Sequence, residues 1–469
     1  MMKLYFQNED PSFDLLFDSQ DEGQTYVDRY KANILADGST VVAERVSFAP
    51  QPQSAMTIID QHTGYVKAII GGRGTKTASL TLNRATDSTR QPGSTFKIVS
   101  TYAAALNEKG MTLATTYEDQ PITYDNGAPV NNASGSFNGT TTIRTAIRNS
   151  VNTVAVQCFE DVTPELGLKY LDNFGFTTLA HGTEADTDAN GNVYTDANLP
   201  TALGGLTYGV KNVELCAAYA AIANGGNYIK PVYYTKILDH NGNVLIENNS
   251  VGRSVIKETT AYLLTSALED VVQNGTGTAC QLDNMAVAGK TGTTDAYNDL
   301  WFVGYTPYYT CAVWSGYDGN QKIPEGDARN FHKTLWRKVM NRIHQGMEYK
   351  DFEVPDGIEQ ISICADTGLL PRVGCPVTEE YFDVGTMPTE YCDQHFYEYD
   401  ESQDEDMEIY DANATPTPDP ENPDGTDNAD GSGGDGTGGD GTGGDGTGGD
   451  GTGDGDIQYP DEAAEILVM

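Results

Sequence analysis

Nowhere in the 469 residues do 18 or more apolar residues run together, so no segment reads as a membrane-spanning helix. The N-terminus, MMKLYFQNEDPSFDLLF, lacks both the basic start and the apolar stretch of a signal peptide. Basic residues are scarce. There are 28 Lys and Arg against 68 Asp and Glu, and residues 401–469 hold 20 of the acids and no base at all. Residues 1–400 remain acidic without them, 48 against 28, which excludes nucleic acid as a natural partner. Only six histidines occur, and they form neither a Ser-His-Asp set nor a paired-His helix. His62-Thr63-Gly64 resembles a K-T-G element in composition only, since it sits in a turn.

Seven cysteines are an odd number, so at least one lacks an intramolecular partner. Cys158, Cys216, Cys280 and Cys311 lie in apolar or helical contexts and read as small buried residues. Cys364, Cys375 and Cys392 form a later group with His395 nearby. These four permit a zinc site on paper, but their spacing is irregular, so a disulfide in an oxidising compartment is favoured and no metal or cofactor is expected.

Residues 1–50 are polar and weakly patterned and read as a linker or remnant. AMTIIDQHTGYVKAIIGG reads as two β-branched strands turning at His62–Gly64. In RQPGSTFKIVSTYAAALNEKG, Pro92 and Gly93 break the chain, Ser94 opens a helix and Gly110 stops it. TTIRTAIRNSVNTVAVQCF carries apolar residues at helical intervals over 141–159, and LCAAYAAIANGG and ETTAYLLTSALEDVVQNG also read as helices. MAVAGKTGTT, DLWFVGYT and YYTCAVWSGY are apolar runs separated by turns, as in antiparallel strands, and NFHKTLWRKVMNRIH closes the domain as a helix. The order predicts a mixed α/β domain over 51–348 whose sheet joins both ends of the sequence. A cysteine-containing extension follows over 349–400. Residues 401–469 are acidic, then Pro-rich, then built of GGDGT repeats, and such a chain cannot bury enough surface to offset ordering entropy.

Ser94-Thr95-Phe96-Lys97 is an S-x-x-K element whose spacing puts hydroxyl and amine on one helical face. A serine is a poor nucleophile until a neighbouring neutral amine takes its proton, and burial or a second cation pushes a lysine toward neutrality. The motif is weak alone, appearing by chance roughly once in a chain of this size. Ser254-Val255-Ile256-Lys257 also matches, without the Pro-Gly break, and reads as a decoy. Lys290-Thr291-Gly292-Thr293 is stronger, with a chance expectation on the order of 0.1. Its glycine would admit a substrate backbone to a strand edge, and its lysine and threonines suit a carboxylate. Ser150-Val151-Asn152 is an S-x-N element inside the predicted helix. It is preferred to Ser136-Phe137-Asn138, which lies in a Gly- and Asn-rich loop.

The order S-x-x-K, S-x-N, K-T-G is the triple found in penicillin-binding proteins and class A β-lactamases. RQPGSTFK, TAIRNSVN, GGLTYGV and GKTGTT followed by DLWFVGYTPYYTCAVWSGYD make residues 55–345 resemble the bifunctional, class A penicillin-binding proteins, and the extension to residue 395 resembles some members. The resemblance implies a β-lactamase/transpeptidase-like fold with a central antiparallel sheet, flanking helices and an all-helical subregion. It implies a peptidoglycan D,D-transpeptidase, inhibited covalently by β-lactams, that works without a cofactor on D-Ala-D-Ala stem peptides and an amine acceptor. Ser94 would be the nucleophile, Lys97 its proton acceptor, and Ser150 with Lys290 a proton relay to the leaving D-alanine. Asn152, Thr291, Gly292 and Thr293 would bind substrate, and the Ser94 and Thr293 N–H groups would form the oxyanion hole. Family members carry a membrane-anchored glycosyltransferase for which too few residues precede Ala55. The chain is therefore expected to be an N-terminally truncated form, acting on the cell-wall side of the plasma membrane. Rival readings are a serine β-lactamase, for which Glu165 is the candidate hydrolytic base but falls only 15 residues after Ser150, and a non-catalytic β-lactam sensor or scaffold.

Overall fold

The computed structural model describes residues 1–395, apart from 45, 77 and 78, and the backbone of Ala464–Ile466. The rest of the acidic, repeat-bearing tail lies outside the described residues. Five strands form the central sheet: β1 (Gln53–Asp60), β2 (Tyr65–Ile70), β3 (Ala288–Thr293), β4 (Asp299–Tyr305) and β5 (Thr310–Gly316). Their spatial order is β3-β4-β5-β1-β2, antiparallel throughout. Pairing of β5 with β1, from Thr310 opposite Ile59 to Gly316 opposite Gln53, joins the two ends of the domain as the sequence predicts.

Both faces of the sheet are covered, and the period-2 alternation divides its side chains between two cores. Trp301, Val303 and Tyr305 of β4 and Ala312 and Trp314 of β5 face the larger core. Phe302, Cys311 and Val313 face the smaller one with Met56 and Ile58. The larger core packs on α3 (Asn212–Ala223), which is buried at every position but its last, and on α4 (Glu258–Asn274). A helix apolar all round has no solvent face to present, so it becomes a central element. The smaller core is closed by Trp336 and Met340 of the amphipathic α5 (Phe331–Ile343). Each of the three tryptophans buries its ring and satisfies its N–H: Trp301 on Gln91 O, Trp314 on Asp299 Oδ1 and Trp336 on Cys311 O, at 2.9–3.0 Å.

Two expectations are revised. Residues 1–50 carry more structure than their weak pattern suggests. A helix over Gln20–Ile34, capped by the Ser19 side chain, packs with Met2, Phe6, Phe17 and Val27 in a small aromatic-rich cluster. Phe6 meets Tyr26 edge-on at 5.1 Å, a contact that needs no periodic spacing. The helix predicted over 141–159 is two helices, α1 (Ile143–Asn149) and α2 (Asn152–Val162), broken at Ser150. Ser150 is left-handed (φ 58°). Its N–H reaches Ile147 O and the Val151 N–H reaches Ala146 O, the paired bonds of a Schellman stop. Val151 packs back on Ala146, completing the motif. Glycine normally fills this position, and a serine there costs about 1–2 kcal/mol.

Candidate active site

The helical run from Gly93 starts as a 3-10 turn, Gly93–Thr95, widens to a π-helical stretch, Ile98–Tyr102, and continues as an α-helix to Glu108. Ser94 is half-buried at its mouth, and Lys97, one turn inward, has no exposed surface. Several contacts fix this turn. Tyr219 of α3 donates to Thr95 O at 2.6 Å, and the Trp301 indole holds Gln91 O. Gly93, at φ +54°, lies so close to Thr293 that an added Cβ would meet its backbone at 2.8–3.0 Å. Gly204 presses on Gly93 from the other side, where a Cβ would come within 2.5 Å of its carbonyl oxygen. Gly292 is needed for a related reason: a Cβ there would sit 2.5 Å from Pro92 O and 2.8 Å from Thr95 Cγ2. The glycine of the K-T-G element thus admits the Ser94-bearing turn to the strand.

The Lys97 amine lies among four acceptors: Asn152 Oδ1 at 2.6 Å, Ser150 O at 2.8 Å, Val151 O at 3.2 Å and Ser150 Oγ at 3.3 Å. The break between α1 and α2 is what turns two of these carbonyls toward it. Lys290, equally buried on the edge strand β3, donates to Ser150 Oγ at 2.9 Å and to Thr291 O at 3.2 Å. One serine hydroxyl therefore stands between two buried amines. Burial, with the Lys290 charge adding to it, holds Lys97 well below the ordinary lysine range. Burial alone brings Lys290 to about 7. From 10.5, that drop is worth roughly 5 kcal/mol against the charged form. The pocket thus has a lysine floor closed to bulk solvent, and a rim of half-buried Ser94, Ser150, Asn152 and Thr291 with Thr293 exposed.

Sequence reasoning named these side chains but missed the groups that hold them. Asp119 is buried and accepts from Asn132 Nδ2 and Thr153 Oγ1, both at 2.6 Å, and from the Asn138 N–H at 2.8 Å. Asn132 Oδ1 in turn receives the Asn152 N–H at 2.8 Å, and Asn152 Nδ2 donates to Asn131 O at 2.6 Å. This network orients Asn152 from a neighbouring loop, and no periodicity in the linear sequence points to it. Thr276 meets Thr291, Oγ1 to Oγ1, at 2.7 Å. Of the competing elements, Ser254 and Lys257 are exposed, Ser136 sits in an exposed turn with Ser134, and Glu165 is exposed in the first turn of Pro164–Asn173.

Comparison with known proteins gives concordant findings. Residues 54–341 match the family model described as penicillin binding protein transpeptidase domain, and residues 354–397 match penicillin-binding protein 1A, C-terminal domain. Penicillin-binding protein 1A of Clostridium tetani is 34% identical over 362 residues, 74% of this chain and 45% of the relative. That of Clostridium novyi is 36% identical over 364 residues, 74% and 40%. The chain spans less than half the length of these relatives. Among solved structures, penicillin-binding protein 1A from Haemophilus influenzae superposes with a TM-score of 0.62 at 25% identity, covering 73% of this chain and 55% of that one. PonA1 of Mycobacterium tuberculosis, in complex with penicillin V, superposes with a TM-score of 0.57 at 26% identity, covering 71% and 85%. Among the described residues no helix is long and apolar enough to cross a membrane.

Proposed function

We propose, for a chain that belongs to the penicillin-binding protein transpeptidase family, that it cross-links peptidoglycan stem peptides through an acyl-enzyme on Ser94. The observation that carries this reading is the Ser150 hydroxyl held between two buried amines, 3.3 Å from Lys97 and 2.9 Å from Lys290, beside the turn that bears Ser94. An amine kept neutral by its surroundings accepts a proton where a solvated lysine would not.

In the proposed sequence Ser94 Oγ attacks the carbonyl carbon of the penultimate D-alanine and gives its proton to Lys97. The oxyanion is stabilised by the backbone N–H groups of Ser94 and Thr293, which lie on the two segments that Gly93 and Gly292 bring into contact. Lys290 and Ser150 deliver a proton to the departing D-alanine nitrogen, and the peptide bond breaks. Asn152, fixed by the Asp119 and Asn132 network, accepts and donates to the donor peptide's amide. Thr291 and Thr293 bind its terminal carboxylate on the edge strand, where an extended peptide adds as a further strand. An amine from a second stem peptide then attacks the acyl-enzyme carbonyl and gives its proton to the Ser150 and Lys290 pair, and the ester to Ser94 breaks as Lys97 returns its proton to Ser94 Oγ. A β-lactam opens on the same hydroxyl. This activity belongs on the outer face of the bacterial plasma membrane, where peptidoglycan is assembled. The test is labelling with a fluorescent penicillin: the parent chain becomes covalently labelled, and labelling of Ser94→Ala at the parental rate would refute the nucleophile.

A further inference from the structure

The C-terminal extension is an antiparallel hairpin of β6 (Ile358–Cys364) and β7 (Val377–Asp383). Its connection folds back tightly. The Gly368 N–H reaches Cys364 O at 2.9 Å and the Cys364 N–H reaches Leu369 O at 2.8 Å. Gly368, at φ +71°, is seated so closely on the catalytic domain that a Cβ would lie 2.2 Å from Ala114 O. The last described stretch returns to the same place: the Leu370 N–H donates to Glu390 O and the Cys392 N–H to Leu370 O, at 2.9 and 2.8 Å. These main-chain bonds gather Cys364, Cys375 and the pair Cys392 and His395, which arrive on three separate limbs of the fold and so show no regular spacing in the sequence.

The four donor atoms lie within 4.8 Å of one another. His395 Nδ1 is 3.5 Å from Cys364 Sγ and 3.4 Å from Cys392 Sγ. A tetrahedral zinc ion, with Zn–S about 2.3 Å and Zn–N about 2.0 Å, demands S···N edges of about 3.5 Å. All three thiols are free, and a single disulfide would leave the third sulfur and the imidazole stranded beside it. A second, independent feature points to a ligand. His395 Nε2 stands 3.2 Å from Asp366 Oδ2, the carboxylate contact that fixes the tautomer and leaves Nδ1 as donor to a metal. The Arg372 N–H also donates to Cys375 Sγ at 3.3 Å, a main-chain bond that fixes the position of the sulfur.

We propose that Cys364, Cys375, Cys392 and His395 bind one zinc ion, in place of the disulfide favoured by the spacing of the cysteines. Three sulfurs and an imidazole select zinc over calcium or magnesium. They fill all four positions of a tetrahedron, so the site is structural. Each cysteine gives its thiol proton to solvent as its sulfur bonds the metal, and the binding free energy becomes folding free energy. The extension needs such a staple because its own core is small: Ile363 and Phe382 packed on Ala114.

The test uses the full chain, isolated under reducing conditions without chelator. Elemental analysis is expected to find one zinc per chain. After zinc is stripped with a chelator, Co²⁺ titration is expected to restore thiolate-to-cobalt charge-transfer bands and the visible bands of a tetrahedral ion. Cys392→Ser weakens Co²⁺ binding by more than about 100-fold and lowers the charge-transfer intensity. Asp366→Asn keeps all four ligands, which guards against a misfolded variant, and weakens binding by about 10–100-fold with the tetrahedral spectrum retained. A parent chain that takes up neither metal, or Cys392→Ser and His395→Ala chains that bind Co²⁺ like the parent, would overturn the proposal. So would a disulfide among these three cysteines in chain isolated separately without reductant.

Discussion

The lysine pocket and the cysteine cluster are both assembled from distant stretches of chain, yet they treat water oppositely. Lys97 and Lys290 are wholly enclosed, and their partners are carbonyl, hydroxyl and amide oxygens rather than carboxylates. In the cluster Cys364 and Cys392 are buried while Cys375 and His395 remain half-exposed, and the carboxylate of Asp366 stands beside the imidazole. Enclosure without a counter-charge strips protons from the amines, which suits acid-base chemistry. Partial exposure with a carboxylate at hand suits the capture of a cation. One region of this molecule uses burial to remove charge, and the other arranges its groups so that charge is matched.

The comparison breaks most directly at Lys97. Replacing it as Lys97→Met fills the same volume without a titrating group and should lower the rate of penicillin acylation by about 10²–10⁴-fold, measured by stopped-flow or labelling kinetics. A rate within a few-fold of the parent would mean that the enclosed amine has no part in activating Ser94.

A middle-sized effect is expected where the two regions meet. Arg144, on the helix that ends at Ser150, is held by Glu380 of β7 through two bonds of 2.6 Å, and Glu380 is 3% exposed. Glu380→Ala leaves the guanidinium on Ser266 alone, without its carboxylate, and should cost about 3 kcal/mol in denaturant unfolding. It should also loosen the hairpin that presents Cys364. An unchanged unfolding midpoint would show that the extension and the catalytic domain are energetically separate.

The smallest effect is a pH dependence. With Lys290 at about 7 in the folded chain and near 10.5 unfolded, the folded state binds fewer protons between these values. Stability therefore rises with pH across that window, and the penalty of burying the amine is complete below it. The stability advantage of Lys290→Met over the parent should shrink above pH 7, by at most about 1.4 kcal/mol per pH unit. A flat profile from pH 6 to 9 would place the titration elsewhere.

How legible each region is in the sequence follows from how its residues are carried. Ser94 and Lys97 share one helical turn, and Lys290 to Thr293 are consecutive on a strand, so their spacing is imposed by the element and survives in the linear text. The alternating runs of β4 and β5 and the wholly apolar α3 are legible for the same reason. Ser150 was found by motif but misplaced, because a Schellman stop built on serine carries no glycine to announce it. Asp119 and Asn132 act from loops, where nothing ties sequence distance to spatial distance. The cysteine cluster is the extreme case, since its four donors arrive on three separate stretches of chain.

Gly93, Gly204 and Gly292 together leave the turn that bears Ser94, the facing loop and the edge strand touching peptide to peptide. Main-chain contact of this kind has no rotamer to change, so the width of the cleft at that point is inelastic. Any widening there has to come from the rim side chains, on the solvent side, rather than from the seam beneath Ser94.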